Sequence, residues 1–112
     1  MTNKEYNGWT NYETWLVNLW IDNEQWSQEQ CRELAEVYAE DEECPYQLSR
    51  DIKSFVEDDE ADCFGIRQTT EGKLASSMVS DLVSAALSEV DWQEIAEHFF
   101  EAAKEEAAYS AR

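Results

Sequence analysis

Gly8-Trp9-Thr10-Asn11-Tyr12-Glu13-Thr14-Trp15, running on into Leu16-Val17-Asn18-Leu19-Trp20-Ile21-Asp22-Asn23, is the stretch whose periodicity decides the fold class. Tyr12, Trp15, Leu16, Leu19 and Trp20 recur at the spacing of one face of an amphipathic helix, which predicts a helix from about Asn11 to Asp22 with that face inward. Thr10, with Glu13 three residues on, reads as a capping box at its start, and Gly8 as the loop before it. Packing and capping leave the identities of Trp9, Asn11 and Asn18 unexplained.

Outward from this helix the same period returns. Residues 1–8 are polar and expected to be loose, and Asn23-Glu24-Gln25 reads as a connection. Ser27 with Gln30 predicts a second capped helix to about Glu42, with Cys31, Leu34, Ala35 and Tyr38 inward. Pro45 suits the first turn of a third helix to about Ala61, carrying Leu48, Ile52, Phe55 and Val56. Between Cys63 and Gly72 the pattern breaks, and residues 63–70 are expected to be irregular or a very short strand. A fourth helix from about Lys73 to Leu87 holds Leu74, Met78, Leu82, Val83, Ala86 and Leu87; its low charge predicts the most buried position. Asp91 with Glu94 caps a last helix to about Ala108, facing inward with Trp92, Ile95, Ala96, Phe99, Ala103 and Ala107. The expected architecture is all-α, one compact domain of about five helices over residues 1–112.

The Gly8 to Asn23 box resembles a segment of small, mostly uncharacterised proteins carried by phages, plasmids and archaeal viruses. Val90-Asp91-Trp92-Gln93-Glu94-Ile95-Ala96-Glu97-His98 is similar to a second segment of that group. The resemblance implies a mobile-element origin and no activity, cofactor or catalytic residue.

Composition narrows the function. A chain of 112 residues that is 43% hydrophobic, with three glycines and one proline, can fold as one cored domain. Against 26 Asp and Glu stand eight Lys and Arg, a formal charge of -18. That is far beyond the magnitude of about 2 to 8 that keeps a small domain soluble, and its self-repulsion costs stability. It also opposes direct binding to nucleic acid or anionic lipid, whose affinity comes from cations that neutralise phosphates. Met1 to Glu5 has no apolar signal core, and no apolar run is long enough to span a membrane, so a cytoplasmic protein is expected. Cys31, Cys44 and Cys63 are an odd number with no close pair, which suits a reducing compartment.

Enzyme chemistry finds little purchase. The single histidine, His98, has no nucleophile elbow to serve. Cys31, Cys44, Cys63 and His98 match zinc in ligand type but not in spacing. Asp58, Glu60 and Asp62 alternate as in a calcium loop, but Cys63 stands at the glycine position and Thr69 at the closing acid. No phosphate-binding glycine loop exists, so no catalytic residue, metal or cofactor is expected.

What remains is the arrangement of acids. Glu29, Glu33, Glu36, Glu40 and Glu43 step along one helical stripe, Glu94, Glu97, Glu101 and Glu105 along another, and Glu57, Asp58, Asp59 and Glu60 form a run. Like charges at these spacings destabilise a helix by about 0.2–0.5 kcal/mol per pair. Adjacent stripes, with carboxylates roughly 5 Å apart along each, approach the charge spacing of a duplex. The expected function is therefore an acidic DNA mimic, an anti-CRISPR or anti-restriction inhibitor whose partner is a host nuclease or CRISPR effector with a basic channel. Two alternatives stand beside it: a helical adaptor that binds through an exposed aromatic cluster around Trp9, Tyr12 and Trp26, and a soluble acidic domain whose charge has no binding role. Homodimerisation is left open.

Overall fold

The computed structural model describes residues 6–58, 62, 64–70, 72 and 77–110. Six helices are present among them: α1 (Tyr12–Asn23), α2 (Gln25–Glu36), α3 (Tyr46–Asp58), α4 (Ile66–Thr70), α5 (Met78–Ser88) and α6 (Trp92–Ser110). No strand occurs among the described residues. The fold is all-α as expected, with one helix more than the periodicity suggested.

The core forms around α6, against which α1, α2 and α3 pack. Ile95, Ala96, Phe99, Phe100 and Ala103 are buried along one side of α6. They meet Ile21 of α1, Cys31 and Ala35 of α2, and Leu48, Ile52 and Val56 of α3. Small residues on α2 and α6 let the two backbones approach, while the two phenylalanines are the largest fully buried side chains. Phe100 joins the inward face predicted for α6, whereas Ala107 lies exposed. The cap at Asp91 forms as expected, with its Oδ1 accepting from the Glu94 N–H at 3.1 Å.

Four expectations are corrected. First, α1 is turned almost half a revolution from its predicted orientation. Its buried residues are Thr14, Asn18 and Ile21, while Tyr12, Leu19 and Trp20 are exposed. The N-cap is Asn11, whose side chain accepts from the Thr14 N–H, and Thr10 instead donates its N–H to Glu94 Oε1 at 3.0 Å. Second, Ser27 lies inside α2; its hydroxyl donates to the Ile21 carbonyl at 2.6 Å, tying two helices joined only by Glu24. α2 also ends at Glu36, six residues early, in a series of turns through residue 43.

Third, residues 66–70 are a short helix. Asp62 caps it with both carboxylate oxygens, accepting from the Arg67 and Gln68 N–H groups at 2.8 Å each. Fourth, α5 is peripheral. Its chief helix neighbour is α4, Ser80 is its only buried residue, and Met78 is 74% and Leu82 61% exposed. The expected start of that helix at Lys73, with Leu74, and the expected end of α3 at Ala61 lie outside the described residues. At the other end, Tyr6 to Gly8 are ordered by a tight turn. Tyr6 and Trp9 exchange two backbone hydrogen bonds at 3.0 and 2.7 Å, and Asn7 and Gly8 adopt the positive φ that an Asn-Gly hairpin turn requires. Residues 1–5, also expected to be loose, lie outside the described residues.

Because α5 lacks the apolar contacts that anchor α6, the two helices should open independently. Hydrogen exchange should show amides of residues 82–88 exchanging at least about tenfold faster than those of 96–104, a gap of about 1.4 kcal/mol. Equal protection would place α5 in the core unit.

Candidate interaction surface

The two segments singled out in the sequence meet. Asn11 Oδ1 accepts from both the Thr14 N–H at 2.9 Å and the Thr14 hydroxyl at 2.6 Å. The same hydroxyl accepts from the Asp91 N–H at 2.8 Å, one of the first-turn donors that α6 cannot satisfy internally. Asn11 Nδ2 donates to the Glu89 carbonyl at 2.7 Å, and Thr10 binds Glu94. Trp9 lays its ring 5.5 Å from that of His98, which in turn meets Phe99. This clasp between the start of α1 and the start of α6 accounts for Trp9 and Asn11. Asn18 is buried further along α1; its Nδ2 donates to Asp22 Oδ2 at 3.0 Å, while its Oδ1 has no hydrogen-bond partner among the described residues.

The acidic residues divide into groups. Glu29, Glu33 and Glu36 project from α2 into solvent, opposite the buried Ser27, Cys31 and Ala35. Glu97, Glu101 and Glu105 are exposed on α6, opposite its phenylalanines. Glu40 and Glu43 are exposed too, but in the turns after α2 rather than on its stripe. That segment lies along α6: Lys104 Nζ donates to the Ala39 carbonyl at 3.2 Å and Gln93 Nε2 to the Cys44 carbonyl at 3.4 Å. Burial and then the charges of Glu97 and Glu101 push the Cys44 thiol up to about 11, so those carboxylates stand close to the acidic turn. Arg32 bridges α2 to α6 through Glu106 at 2.9 Å, and this hydrogen bond raises the guanidinium pKa. Both side chains are substantially exposed, so the bridge adds little stability.

Other expected members fall elsewhere. Glu94 is half-buried in the clasp, which removes it from the surface. Glu57 pairs with Lys53 at 3.2 Å and, with Asp58, borders a cleft beside Ile66, Ser84 and Leu87, on the side of α4 and α5. Asp59 and Glu60 lie outside the described residues. Trp9 is packed against the core, while Trp26 is exposed and rests on Phe55 with ring centroids 5.5 Å apart.

Apart from Tyr12, offered as an adaptor contact, sequence reasoning missed the outer face of α1. Tyr12 is 46% and Trp20 57% exposed, Leu19 stands beside them, and Tyr6 packs on both Tyr12 and Trp15. Next to Trp20 an apolar cleft of about 220 Å³ is lined by Leu16, Val17, Val56, Phe64 and Ile66. The signal was present as a second, polar-containing stripe on α1 through Thr14, Asn18 and Ile21.

No group of three or more His, Cys, Asp or Glu that could hold a metal occurs among the described residues. Cys31 is buried, and burial followed by the Asp22 charge drives its thiol up to about 12, out of reach as a nucleophile at neutral pH. Among the described residues no helix is long and apolar enough to cross a membrane.

Fold and surface define a small acidic all-α protein with a hydrogen-bonded clasp between the starts of its first and last helices. The chain belongs to a family of unknown function, DUF7249, whose model matches residues 2–107. No curated protein and no solved structure matches it.

Replacing Thr14 by valine keeps the shape but strands the part-buried Asp91 N–H. The expected cost is about 1–3 kcal/mol, read as a lower urea midpoint with unchanged slope. Thr14→Ser should recover most of it. A Thr14→Val protein as stable as the wild type would show that the clasp holds nothing.

Raised thiol pKa values carry a sign. A group with a raised folded pKa stabilises fully below its unfolded pKa and loses that contribution as pH rises toward the folded value. The urea midpoint should therefore fall from about pH 9 upward, less steeply in Cys31→Ala than in the wild type. Parallel pH profiles would dissociate Cys31 from that loss.

Proposed function

We propose that this protein is a non-catalytic inhibitor that occupies a basic, nucleic-acid-binding channel of a host protein. In its specific form it is a DNA mimic carried by a mobile element and directed at a restriction nuclease or CRISPR effector. The observation that carries the reading is the solvent exposure of Glu29, Glu33 and Glu36 on α2 and of Glu97, Glu101 and Glu105 on α6. A folded core opposite them explains neither row. Like-charge neighbours at helical spacing destabilise each helix, and the nearby cations Arg32 and Lys104 are engaged by Glu106 and by the Ala39 carbonyl. Such rows are favourable against a positively charged partner, where each carboxylate replaces a phosphate and displaced counterions drive association.

The mobile-element origin implied by the Gly8 to Asn23 box supports this direction. Elements that enter a cell gain from blocking proteins that cut foreign DNA, and those proteins hold DNA in positive channels. The shift of Glu40 and Glu43 into turns, and of Glu94 into the clasp, narrows the contact to the six carboxylates above.

The test is capture of the partner from host extract, with duplex DNA added as competitor. DNA should displace the captured protein, and affinity should fall at least about tenfold between about 50 and 200 mM salt. Joint reversal of Glu33, Glu36 and Glu101 to lysine should weaken binding at least about 100-fold without unfolding the chain. Undiminished binding by the triple variant would exclude mimicry through these helices.

A further inference from the structure

Helix α1 presents its most apolar side to water. At 3.6 residues per turn, Tyr12, Leu16, Leu19 and the flanking Trp15 and Trp20 lie nearly opposite the buried Thr14, Asn18 and Ile21. Burying a large apolar side chain contributes about 1.5–3 kcal/mol, so this orientation forgoes several such contributions while placing two polar side chains inside. A fully exposed aromatic presents about 150–250 Å², and the half-exposed Tyr12 and Trp20 with Leu19 reach roughly 250 Å². Patches of about that size on monomers are often binding surfaces. The cleft beside Trp20 makes the surface concave, with room for a leucine or phenylalanine side chain.

The charge around the patch identifies what can cover it. From Tyr6 to Cys31 the chain has Glu13, Asp22, Glu24 and Glu29 and not one lysine or arginine, and beside the cleft's α3 and α4 walls Lys53 and Arg67 are outnumbered by Glu57, Asp58 and Asp62. Asp22 and Glu24 are exposed at the end of α1 that carries Trp20. A second copy would bring together two chains of charge -18, and an anionic lipid surface meets the same repulsion. We infer that the outer face of α1 and its cleft dock an amphipathic basic helix of a partner protein, with an apolar side chain in the cleft and lysines or arginines opposite Asp22 and Glu24. This rests on the reading of the protein as an acidic binder of basic proteins and adds the apolar anchor which that reading lacks. Charge steers the encounter, and apolar contact holds the complex.

The probe is a synthetic 18-residue peptide with leucines at helical spacing and lysines elsewhere, titrated into the full chain. A scrambled peptide of the same composition and charge, which presents no apolar stripe, is the comparison. Expected are shifts of the Trp20 indole N–H and of Leu16, Leu19 and Val56 resonances, with at least about tenfold tighter binding by the patterned peptide. Trp20→Ser, at an exposed site, should remove that preference while the weak, salt-sensitive binding of the scrambled peptide persists. Equal affinity of the two peptides, or shifts confined to α2 and α6, would overturn the anchor and leave the charge-based reading intact. Failure of both peptides to bind would overturn both. Sedimentation of the free chain as a dimer in which the same Trp20 and Leu19 resonances are protected would assign the face to self-association and overturn the inference.

Discussion

One buried hydroxyl fixes the geometry of this molecule. Thr14 Oγ1 donates to Asn11 and accepts from the N–H of Asp91, 77 residues further on, so it belongs to the caps of two helices. Thr14 is fully buried, and a donor left unpaired there costs about 1–3 kcal/mol. The rotation of α1 follows from it: pointing Thr14 at α6 sends Ile21 into the core and the aromatic stripe outward. The clasp also sets where α6 begins, and with it the placement of Phe99 and Phe100. Two segments with no local relation in sequence are therefore one structural unit.

The core and the charge are laid out on opposite sides of the same helices. α6 buries aromatic and small residues and α2 small residues on one side, and each presents glutamates on the other. This separation lets a chain of charge -18 keep a close-packed centre, since the carboxylates retain their water. The helices remote from α6 are less constrained. α5 in particular leaves its large apolar residues uncovered and meets chiefly α4.

Periodicity found α3 and α6 because their apolar stripes and start signals agree: Pro45 stands one residue before α3, and Asp91 caps α6. It failed on α1 because hydrophobicity alone ranks Tyr12, Trp15 and Trp20 above Thr14 and Asn18. The partners that go with the observed orientation, Asp91 for Thr14 and the α2, α3 and α6 core for Ile21, lie outside any local window. Ser27 misled for a related reason, since a serine that bonds back to an earlier carbonyl looks in sequence like a serine that caps. The burial expected of α5 rested on its low charge, but a helix is buried by its neighbours, and α6 already filled the centre. At the candidate surface, exposure of the α2 and α6 glutamates was legible from spacing. The loss of Glu94 to the clasp came with its bond from the Thr10 N–H, and the outward turn of the α1 aromatics with the Thr14 contact.

Native-state hydrogen exchange at the Asp91 amide tests this account most directly. A donor at the very start of a helix has no partner within that helix and exchanges rapidly when only water meets it. If Thr14 holds the two ends together, Asp91 is protected nearly as strongly as the α6 core amides of Phe99 and Phe100, and Thr14→Val abolishes that protection. Rapid exchange at Asp91 in the wild-type protein would contradict the clasp and the orientation of α1 that depends on it.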